Sequence, residues 1–197
     1  LMLQQTQVSR VLEFYARFLE RFPTLEVLAA AAPKRVMESW EGLGYYARAR
    51  NLHALSKQVT GPEGSGTLPA HHEELRKLPG IGAYTAGAVS SFAFERRAAL
   101  VDTNVARVLA RVFAPGLNPK RPRDLTQLWG IAEAVLPRTG RACWTHNQAV
   151  MELGALVCTA RVKRCEVCPL SAVCATFASE AATIVPTRRR KRKAPTR

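Results

Sequence analysis

Four of the five cysteines in this 197-residue chain are crowded into one short segment near its end. They have the spacing C-x6-C-x2-C-x5-C and are Cys158, Cys165, Cys168 and Cys174. An odd total with four members so close together argues against a disulfide framework and favours a metal site in a reducing compartment. Four thiolates suit either an iron–sulfur cluster or zinc, although zinc sites usually pair two C-x2-C knuckles and only one is present. Cys143 lies outside the segment and is expected to be a structural thiol.

The rest of the chain has the apolar spacing of helices and almost no pattern typical of strands. Apolar residues three and four positions apart predict a first helix over residues 1–22, which Pro23 ends. Thr24 is predicted to cap the helix that follows. Further helices are predicted by the same spacing at 45–59, 72–78, 83–94, 103–113, 124–136 and 145–157. The chain is therefore predicted to be all-α, with a polar basic tail from about residue 186 that is expected to be disordered.

Basic residues outnumber acidic residues by 29 to 15, which gives a net charge of +14. Seven of the cations lie from Arg188 onward, so the preceding residues still carry 22 cations against 15 acids. This charge suits a protein that neutralises nucleic-acid phosphates, although basicity can also serve solubility alone. No run of the chain approaches the roughly 18 apolar residues that a membrane span needs, so we expect a soluble protein. Its expected location is the cytoplasm, in association with the nucleoid if the protein is bacterial.

A turn with two glycines precedes one acidic residue at the start of a predicted helix. The turn is Leu78-Pro79-Gly80-Ile81-Gly82 and the acid is Asp102. Gly80 and Gly82 permit unusual φ values and close approach of the backbone, so the turn and the helix after it can seat a phosphate. An ordinary helix–helix turn is the alternative, because a lone G-x-G is weak evidence. Asp102 can cap its helix, a position that also keeps a carboxylate ionised and is compatible with catalysis.

The segment from Leu78 to Ala86, followed by Val101–Asn104, closely resembles the helix-hairpin-helix DNA glycosylases. The resemblance covers residues 1 to about 178 and implies two helical modules that flank a DNA-binding cleft. It also implies that Gly80 and Gly82 grip the DNA backbone, while Asp102 lies at the sugar of a flipped-out nucleotide. The expected divisions are 1–98 (with the hairpin at about 72–94), 99–180, and a basic tail at 181–197.

The cysteine spacing is that of the 4Fe–4S loop in the endonuclease III and MutY family. The resemblance therefore implies one 4Fe–4S cluster, bound by the four clustered cysteines and structural in its role. The cations at the start of this loop are expected to contact DNA phosphates and are Arg161, Lys163 and Arg164.

Several positions resemble the MutY adenine glycosylases more than other members of the family. Tyr84 occupies the position of the Schiff-base lysine of bifunctional relatives, which favours a hydrolase. Residues that match Gln5 and Thr6 approach the lesion strand, and the match to Tyr45 wedges into the base stack. Two further positions are expected at the DNA or the adenine pocket, Leu43 and Gln148.

The segment around the acid is mixed in its resemblance. Thr103 is the endonuclease III choice at a position where MutY proteins usually have glycine, whereas Asn104 is the MutY choice. An endonuclease III-like pyrimidine or mismatch-thymine glycosylase therefore stays open as an alternative. A noncatalytic DNA-binding module is the other alternative. In each case the expected partner is double-stranded DNA with a mispaired or damaged base. The protein is expected to be a monomer and not to associate with a membrane.

By this resemblance the chain is expected to be a monofunctional glycosylase for adenine opposite 8-oxoguanine or guanine. Asp102 would stabilise an oxocarbenium-like sugar, Asn104 would orient Asp102, and Tyr84 would lie nearby, in parallel with two-carboxylate glycoside hydrolysis. The resemblance puts the purine-side acid one residue before Leu1, and Glu13 lies too far along the first helix to replace it. This chain alone is expected to bind DNA but release adenine poorly, and to expose apolar surface that upstream helices would cover beside the cluster module.

Overall fold

The computed structural model describes residues 1–184, in which the chain is helical. Its helices are α1 (Val8–Arg21), α2 (Leu25–Ala30), α3 (Pro33–Glu38), α4 (Ala47–Thr60), α5 (His72–Leu75), α6 (Ala83–Ala88), α7 (Thr103–Phe113), α8 (Pro122–Ala134), α9 (Gly140–Glu152) and α10 (Ala175–Ile184). Over these residues the extended pairing is limited to one isolated bridge between Cys158 and Lys163, so the all-α prediction is confirmed. Within the same range no helix is long and apolar enough to span a bilayer. The predicted disordered tail from about 186 lies outside the described residues.

Two π-helical segments interrupt what the sequence predicts as continuous helices. The first, Val89–Ala93, follows α6, and the second, Leu153–Val157, follows α9. The cysteine segment adds two short 3-10 turns at Cys165–Val167 and Ser171–Val173. π-Helical turns occur frequently at functional sites, and the second of these leads directly into Cys158.

The chain divides into two compact units. Unit 1 contains Leu1–Leu100 and Leu136–Asn147, and unit 2 contains Val101–Val135 together with the chain from Gln148 onward. Residues 136–147, which the sequence analysis assigns to the second module, therefore pack within unit 1 instead. Asn147 illustrates the reason, because its buried side-chain amide donates to Ser91 Oγ at 2.9 Å and to Ala98 O at 3.0 Å.

Aromatic side chains from α1 and the segment after α3 form the centre of unit 1. Phe18 packs on Phe22 and meets Trp40 edge-on, with ring centroids 4.9 and 5.9 Å apart. The Trp40 side chain is fully buried, and its indole N–H donates to the carbonyl of Gly44 at 3.1 Å. A buried indole needs such an acceptor, so Trp40 fixes the turn that leads into α4.

The first helix begins at Val8, and the prediction that it covers residues 1–7 is wrong. Those residues form turns, with Gln5 in the left-handed region at φ 57°. Three of their carbonyls, at Leu1, Met2 and Gln4, accept hydrogen bonds from Arg48. Arg48 holds these turns, and the left-handed φ of Gln5 interrupts the helical geometry, so the helix does not extend before Val8.

Apolar residues cover two faces of α1, and only one face packs into the core. The buried face includes Phe14 and Phe18, whereas Leu12 and Tyr15 are 66% and 53% exposed. Beside the exposed face, a cavity of about 440 Å³ is lined by apolar side chains such as Leu3 and Leu25. Exposed apolar residues also occur around the cysteine segment, where Val167 and Val173 are 63% and 67% exposed.

Unit 2 is organised around α7. Its apolar residues at helical spacing are buried and are Val105, Val108, Leu109 and Val112. Asp102 is the N-cap residue of this helix, and its carboxylate accepts a hydrogen bond from Val105 N–H at 2.6 Å. Thr24 caps α2 in the same manner in unit 1, so both predicted N-caps are confirmed.

Side chains on the two faces of α1 should differ in how much their removal destabilises the protein. Phe18→Ala should lower the free energy of unfolding by about 3–5 kcal/mol, because it removes a buried aromatic ring. Leu12→Ala on the same helix should change it by no more than about 0.5 kcal/mol, because that side chain contributes little to packing. Chemical denaturation of both variants checks this. A comparable loss for Leu12→Ala would show that its face is covered in solution.

Candidate DNA-binding and catalytic residues

The turn between α5 and α6 has the geometry that its glycines suggest. Gly80 adopts φ 76°, and a Cβ there would lie 2.7 Å from the Asn51 side chain, so this position requires glycine. Gly82 has an ordinary φ of −82° and precedes α6 as its N-cap residue. Nothing lies within 4 Å of a Cβ built at Gly82, so its backbone is open to a large ligand. Tyr84 lies in the first turn of α6 and is 37% exposed.

The predicted lesion-strand residues lie on two neighbouring segments of unit 1. Gln5 and Tyr45 are exposed, and both have positive φ, at 57° and 47°. The hydroxyl of Thr6 is buried and has no partner within the described residues. Leu43 is buried in the core, whereas Tyr45 and Tyr46 of the same segment are 63% and 39% exposed.

Asp102 begins a chain of hydrogen bonds in unit 2. Its Oδ1 accepts from Val105 N–H, and its Oδ2 accepts from Asn104 Nδ2 at 3.3 Å. The Asn104 Oδ1 in turn accepts from Arg107 Nη2 at 2.8 Å. Each carboxylate oxygen keeps a further lone pair, so Asp102 is oriented and still able to face a positive centre.

Arg107 connects this acid to the start of the cysteine segment. Its guanidinium donates to Gly154 O at 2.7 Å and to Cys158 O at 3.0 Å. Gly154 lies within the π-helical segment, and a Cβ there would be 2.8 Å from the Asn104 Cβ. The glycine therefore permits close packing of the π-helical segment on α7, which the sequence analysis did not anticipate.

The four clustered cysteines line one small, apolar cavity of about 30 Å³ with Val108 and Phe177. Arg111 reaches the cysteines from α7: its Nη1 donates to Cys158 Sγ at 3.2 Å, and its carbonyl accepts from Cys174 Sγ at 3.4 Å. Burial raises the pKa of the Cys165 thiol, Lys163 lowers it, and the other three cysteines raise it further. Within residues 1–184 no three His, Cys, Asp or Glu side chains stand in metal-binding geometry, but all four sulfurs share one cavity.

The other predicted contacts on unit 2 differ in their surroundings. Arg161 and Arg164 are exposed on the loop between the first two clustered cysteines. Lys163 forms an ion pair with Glu180 of α10. Gln148, on α9, donates to Glu152 Oε1 at 2.7 Å. Lys163 and Gln148 are thus engaged by acids within the unit, which the sequence analysis did not foresee.

Cys143, the cysteine outside the segment, lies in the protein core. Cys143 is fully buried, and its thiol donates to the carbonyl of Pro137 at 3.1 Å. Burial raises the pKa of this thiol, and Arg97 opposes that shift. A buried thiol with a raised pKa is inert, as expected for a structural residue.

Sequence reasoning missed the residues that hold the predicted ones in place. Arg107 and Arg111 serve the cysteine segment and the acid, while Gln4 and Arg48 serve the turns of unit 1. Their partners lie tens of residues away in the chain, and arginines on amphipathic helices ordinarily face solvent. Only the four-residue spacing of Arg107 and Arg111, which puts them on one face of a helix, could have indicated a shared role.

Comparison with known proteins gives consistent results. Residues 1–130 match the family described as HhH-GPD superfamily base excision DNA repair protein. A human adenine DNA glycosylase is 44% identical over 176 residues, which is 88% of this chain and 31% of that protein. The rat and mouse proteins are covered to 33% and 34%, so the chain spans about a third of these relatives.

Two solved structures resemble the fold over most of both chains. A thermostable thymine-DNA glycosylase has a TM-score of 0.78 at 28% identity, covering 90% of this chain and 81% of that one. Endonuclease III in a non-covalent complex with DNA has a TM-score of 0.72 at 25% identity, covering 92% and 82%. Both likenesses extend over the two units described above.

Close packing at Gly154 predicts a specific displacement. Gly154→Ala should cost about 1–3 kcal/mol of unfolding free energy, because the new methyl group overlaps Asn104. A crystal structure of the variant should show the Asn104–Asp102 hydrogen bond lengthened from 3.3 Å. Gly116→Ala is the control, since nothing lies within 4 Å of its Cβ position. An unchanged Asn104 at full stability would contradict the packing argument.

Proposed function

The chain belongs to the HhH-GPD superfamily of base excision DNA repair proteins, and we propose that it is the catalytic part of an adenine DNA glycosylase. Asp102 is the observation that carries this proposal, because its carboxylate is capped onto α7 and oriented by Asn104. The 44% identity to the human adenine DNA glycosylase supports adenine as the excised base. The proposed substrate is double-stranded DNA in which adenine lies opposite 8-oxoguanine or guanine.

In the proposed reaction, water replaces adenine at C1′ of a flipped-out nucleotide. Flipping is required because the glycosidic bond is out of reach inside the stacked duplex. As the C–N bond breaks, positive charge develops on the sugar, and the Asp102 carboxylate stabilises it electrostatically. Asn104 donates to one carboxylate oxygen and thereby fixes which lone pairs face the sugar. The departing purine takes its proton from a second acid, which the resemblance puts upstream of Leu1. The water that forms the new C1′–O bond loses a proton, which restores that acid.

Contact with DNA is proposed to be distributed over both units. In unit 1 the Gly80–Gly82 turn would approach a phosphate, while Gln5, Thr6 and Tyr45 would meet the lesion strand and the base stack. The absence of a lysine at Tyr84 supports simple hydrolysis, since no amine there could form a Schiff base. In unit 2 the contacts would come from the exposed loop cations and the adenine-pocket position: Arg161, Lys163, Arg164 and Gln148.

The cysteine segment is proposed to bind one 4Fe–4S cluster. Cys158, Cys165, Cys168 and Cys174 fit this group, because four sulfurs line one apolar cavity and Arg111 donates an N–H to one of them. The cluster would supply a covalent link that closes the loop between α9 and α10. Arg111 and Arg107 would then hold the first ligand, Cys158, from α7.

Replacing the proposed catalytic carboxylate should separate chemistry from binding. In a version of the protein extended upstream of Leu1, Asp102→Asn should slow single-turnover adenine release by about 100-fold or more, because the charge that stabilises the sugar is lost. Binding of the same duplex should stay within about threefold. Asp124→Asn is a matched control, because that partly buried carboxylate also accepts a backbone N–H, at 2.8 Å.

The substrate is tested with a panel of duplexes for the same extended protein. We expect release of adenine opposite 8-oxoguanine and guanine, and none of thymine opposite guanine or of oxidised pyrimidines. Preferential thymine release would favour the function of the thymine-DNA glycosylase that the fold resembles. Binding of these duplexes without release of any base by the extended protein would favour a noncatalytic DNA-binding module. Full excision by Asp102→Asn would contradict a chemical role for this acid.

The cluster proposal predicts the metal content of the purified protein. The chain should be brown and contain about four iron and four sulfide ions per molecule. Cys168→Ser should lose the iron and much of the thermal stability, because one ligand and the loop closure are removed. Cys143→Ser should keep the iron, because its thiol lies outside the segment. Stoichiometric zinc in place of iron would contradict the proposal.

A further inference from the structure

Arg48 is a buried charge whose described contacts include no carboxylate. The side chain is only 7% exposed, and it lies at the start of α4. Burial lowers the pKa of its guanidinium, which Tyr45 partly offsets. A buried cation without an anion is costly, so its retention requires strong hydrogen bonding to neutral groups.

The guanidinium of Arg48 bonds to carbonyls from two separate segments. It donates to Leu1, Met2 and Gln4, with the Met2 bond at 2.6 Å. It also donates to Leu43 and Gly44, both at 3.2 Å. Nη1 donates to the first three carbonyls and Nη2 to the other two, so the planar group joins two segments. The Nε of Arg48 is buried and has no partner within the described residues.

Each of these segments carries one of the exposed residues proposed to meet the lesion strand. Gln5 follows directly after the carbonyl of Gln4, and Tyr45 follows directly after that of Gly44. Both residues have positive φ, a conformation that costs a non-glycine residue about 1–2 kcal/mol. The bonds from Arg48 therefore fix the backbone at the point where each left-handed residue begins.

Gln4 extends these contacts to the glycine turn. Its side-chain amide donates to Gly80 O at 3.3 Å and to Thr85 Oγ1 at 3.0 Å. Arg48 and Gln4 together thus connect the first turns of the chain, the turn before α4, and the turn between α5 and α6. All three carry proposed DNA contacts, and all three lie in unit 1.

We propose that Arg48 and Gln4 are positioning residues that preform the lesion-recognition surface, by holding Gln5, Tyr45 and the Gly80 turn as one unit. The proposal rests on the function proposed above. Neither residue needs to touch DNA for this role. A surface that is already in its binding conformation loses less conformational entropy on association. Replacement of Arg48 or Gln4 should therefore weaken recognition of the lesion more than it weakens general attraction to phosphates.

Lysine is the informative replacement for Arg48, because it keeps the charge but not the planar fork. A lysine ammonium has three donors around one nitrogen and cannot join both groups of carbonyls in the same geometry. The test uses the upstream-extended protein with Asp102→Asn throughout, so that the duplex is not consumed. Affinities are measured for adenine opposite 8-oxoguanine and for an undamaged duplex, and 2-aminopurine beside the target adenine reports unstacking.

Arg48→Lys should weaken binding to the lesion duplex by about tenfold and to the undamaged duplex by less than about threefold. Arg48→Lys should also lose the 2-aminopurine fluorescence change that reports unstacking, and Tyr45→Ala should lose it in the same way. The Arg48→Lys/Tyr45→Ala pair should lose less affinity than the two single losses add up to, because the arginine acts partly through Tyr45 and partly through Gln5. Arg50→Lys is the matched control, since Arg50 is exposed on the same helix.

Equal losses on both duplexes, or additive losses in the double variant, would overturn the inference. Gln4→Leu provides a second test that buries no new charge, and it should lower lesion affinity while thermal unfolding stays cooperative. Full lesion affinity in Gln4→Leu and Arg48→Lys would also overturn it. If the parent protein shows no preference for the lesion duplex, the proposed function fails and this inference fails with it.

Discussion

The hydrogen bonds of Arg107 are the interaction on which the second unit depends. One guanidinium joins Asn104 of α7, the carbonyl of Gly154 and the carbonyl of Cys158. Because Asn104 orients Asp102, the geometry of the acid and the path of the cysteine segment have the same support. A disturbance at either place would therefore reach the other through one rigid, planar group.

Unit 1 uses an arginine for the same purpose. Arg48 satisfies carbonyls of two turns that adopt strained conformations, and Trp40 bonds to one of these turns from the core. Because of such arginines, the net charge of +14 is not all available at the surface. Part of that charge is directed inward at carbonyls, while cations such as Arg161 and Arg164 remain exposed and available to phosphates.

Close backbone packing is the second device that both units share. A Cβ at Gly87 would lie 2.0 Å from the carbonyl oxygen of Ala99, and one at Gly154 would lie 2.8 Å from the Asn104 side chain. Each glycine is followed or enclosed by a π-helical segment, at Val89–Ala93 and Leu153–Val157. The apolar spacing correctly predicts a helix at both places. It does not show that the backbone hydrogen bonds there change from the α-helical to the π-helical pattern, which is one residue longer.

The sequence by itself determined the all-α class, the limits of α7 and the caps at Thr24 and Asp102, because apolar spacing and capping act over a few residues. Motif spacing also predicted DNA contact at the glycine turn and metal binding at the four cysteines, and both roles stay predictions. Tertiary structure alone decided that residues 1–7 leave the helix, that residues 136–147 join unit 1, and that one face of α1 stays exposed. The first two outcomes depend on which distant groups accept the bonds of Arg48 and Asn147, and local sequence does not encode the partners of a side chain forty or more residues away.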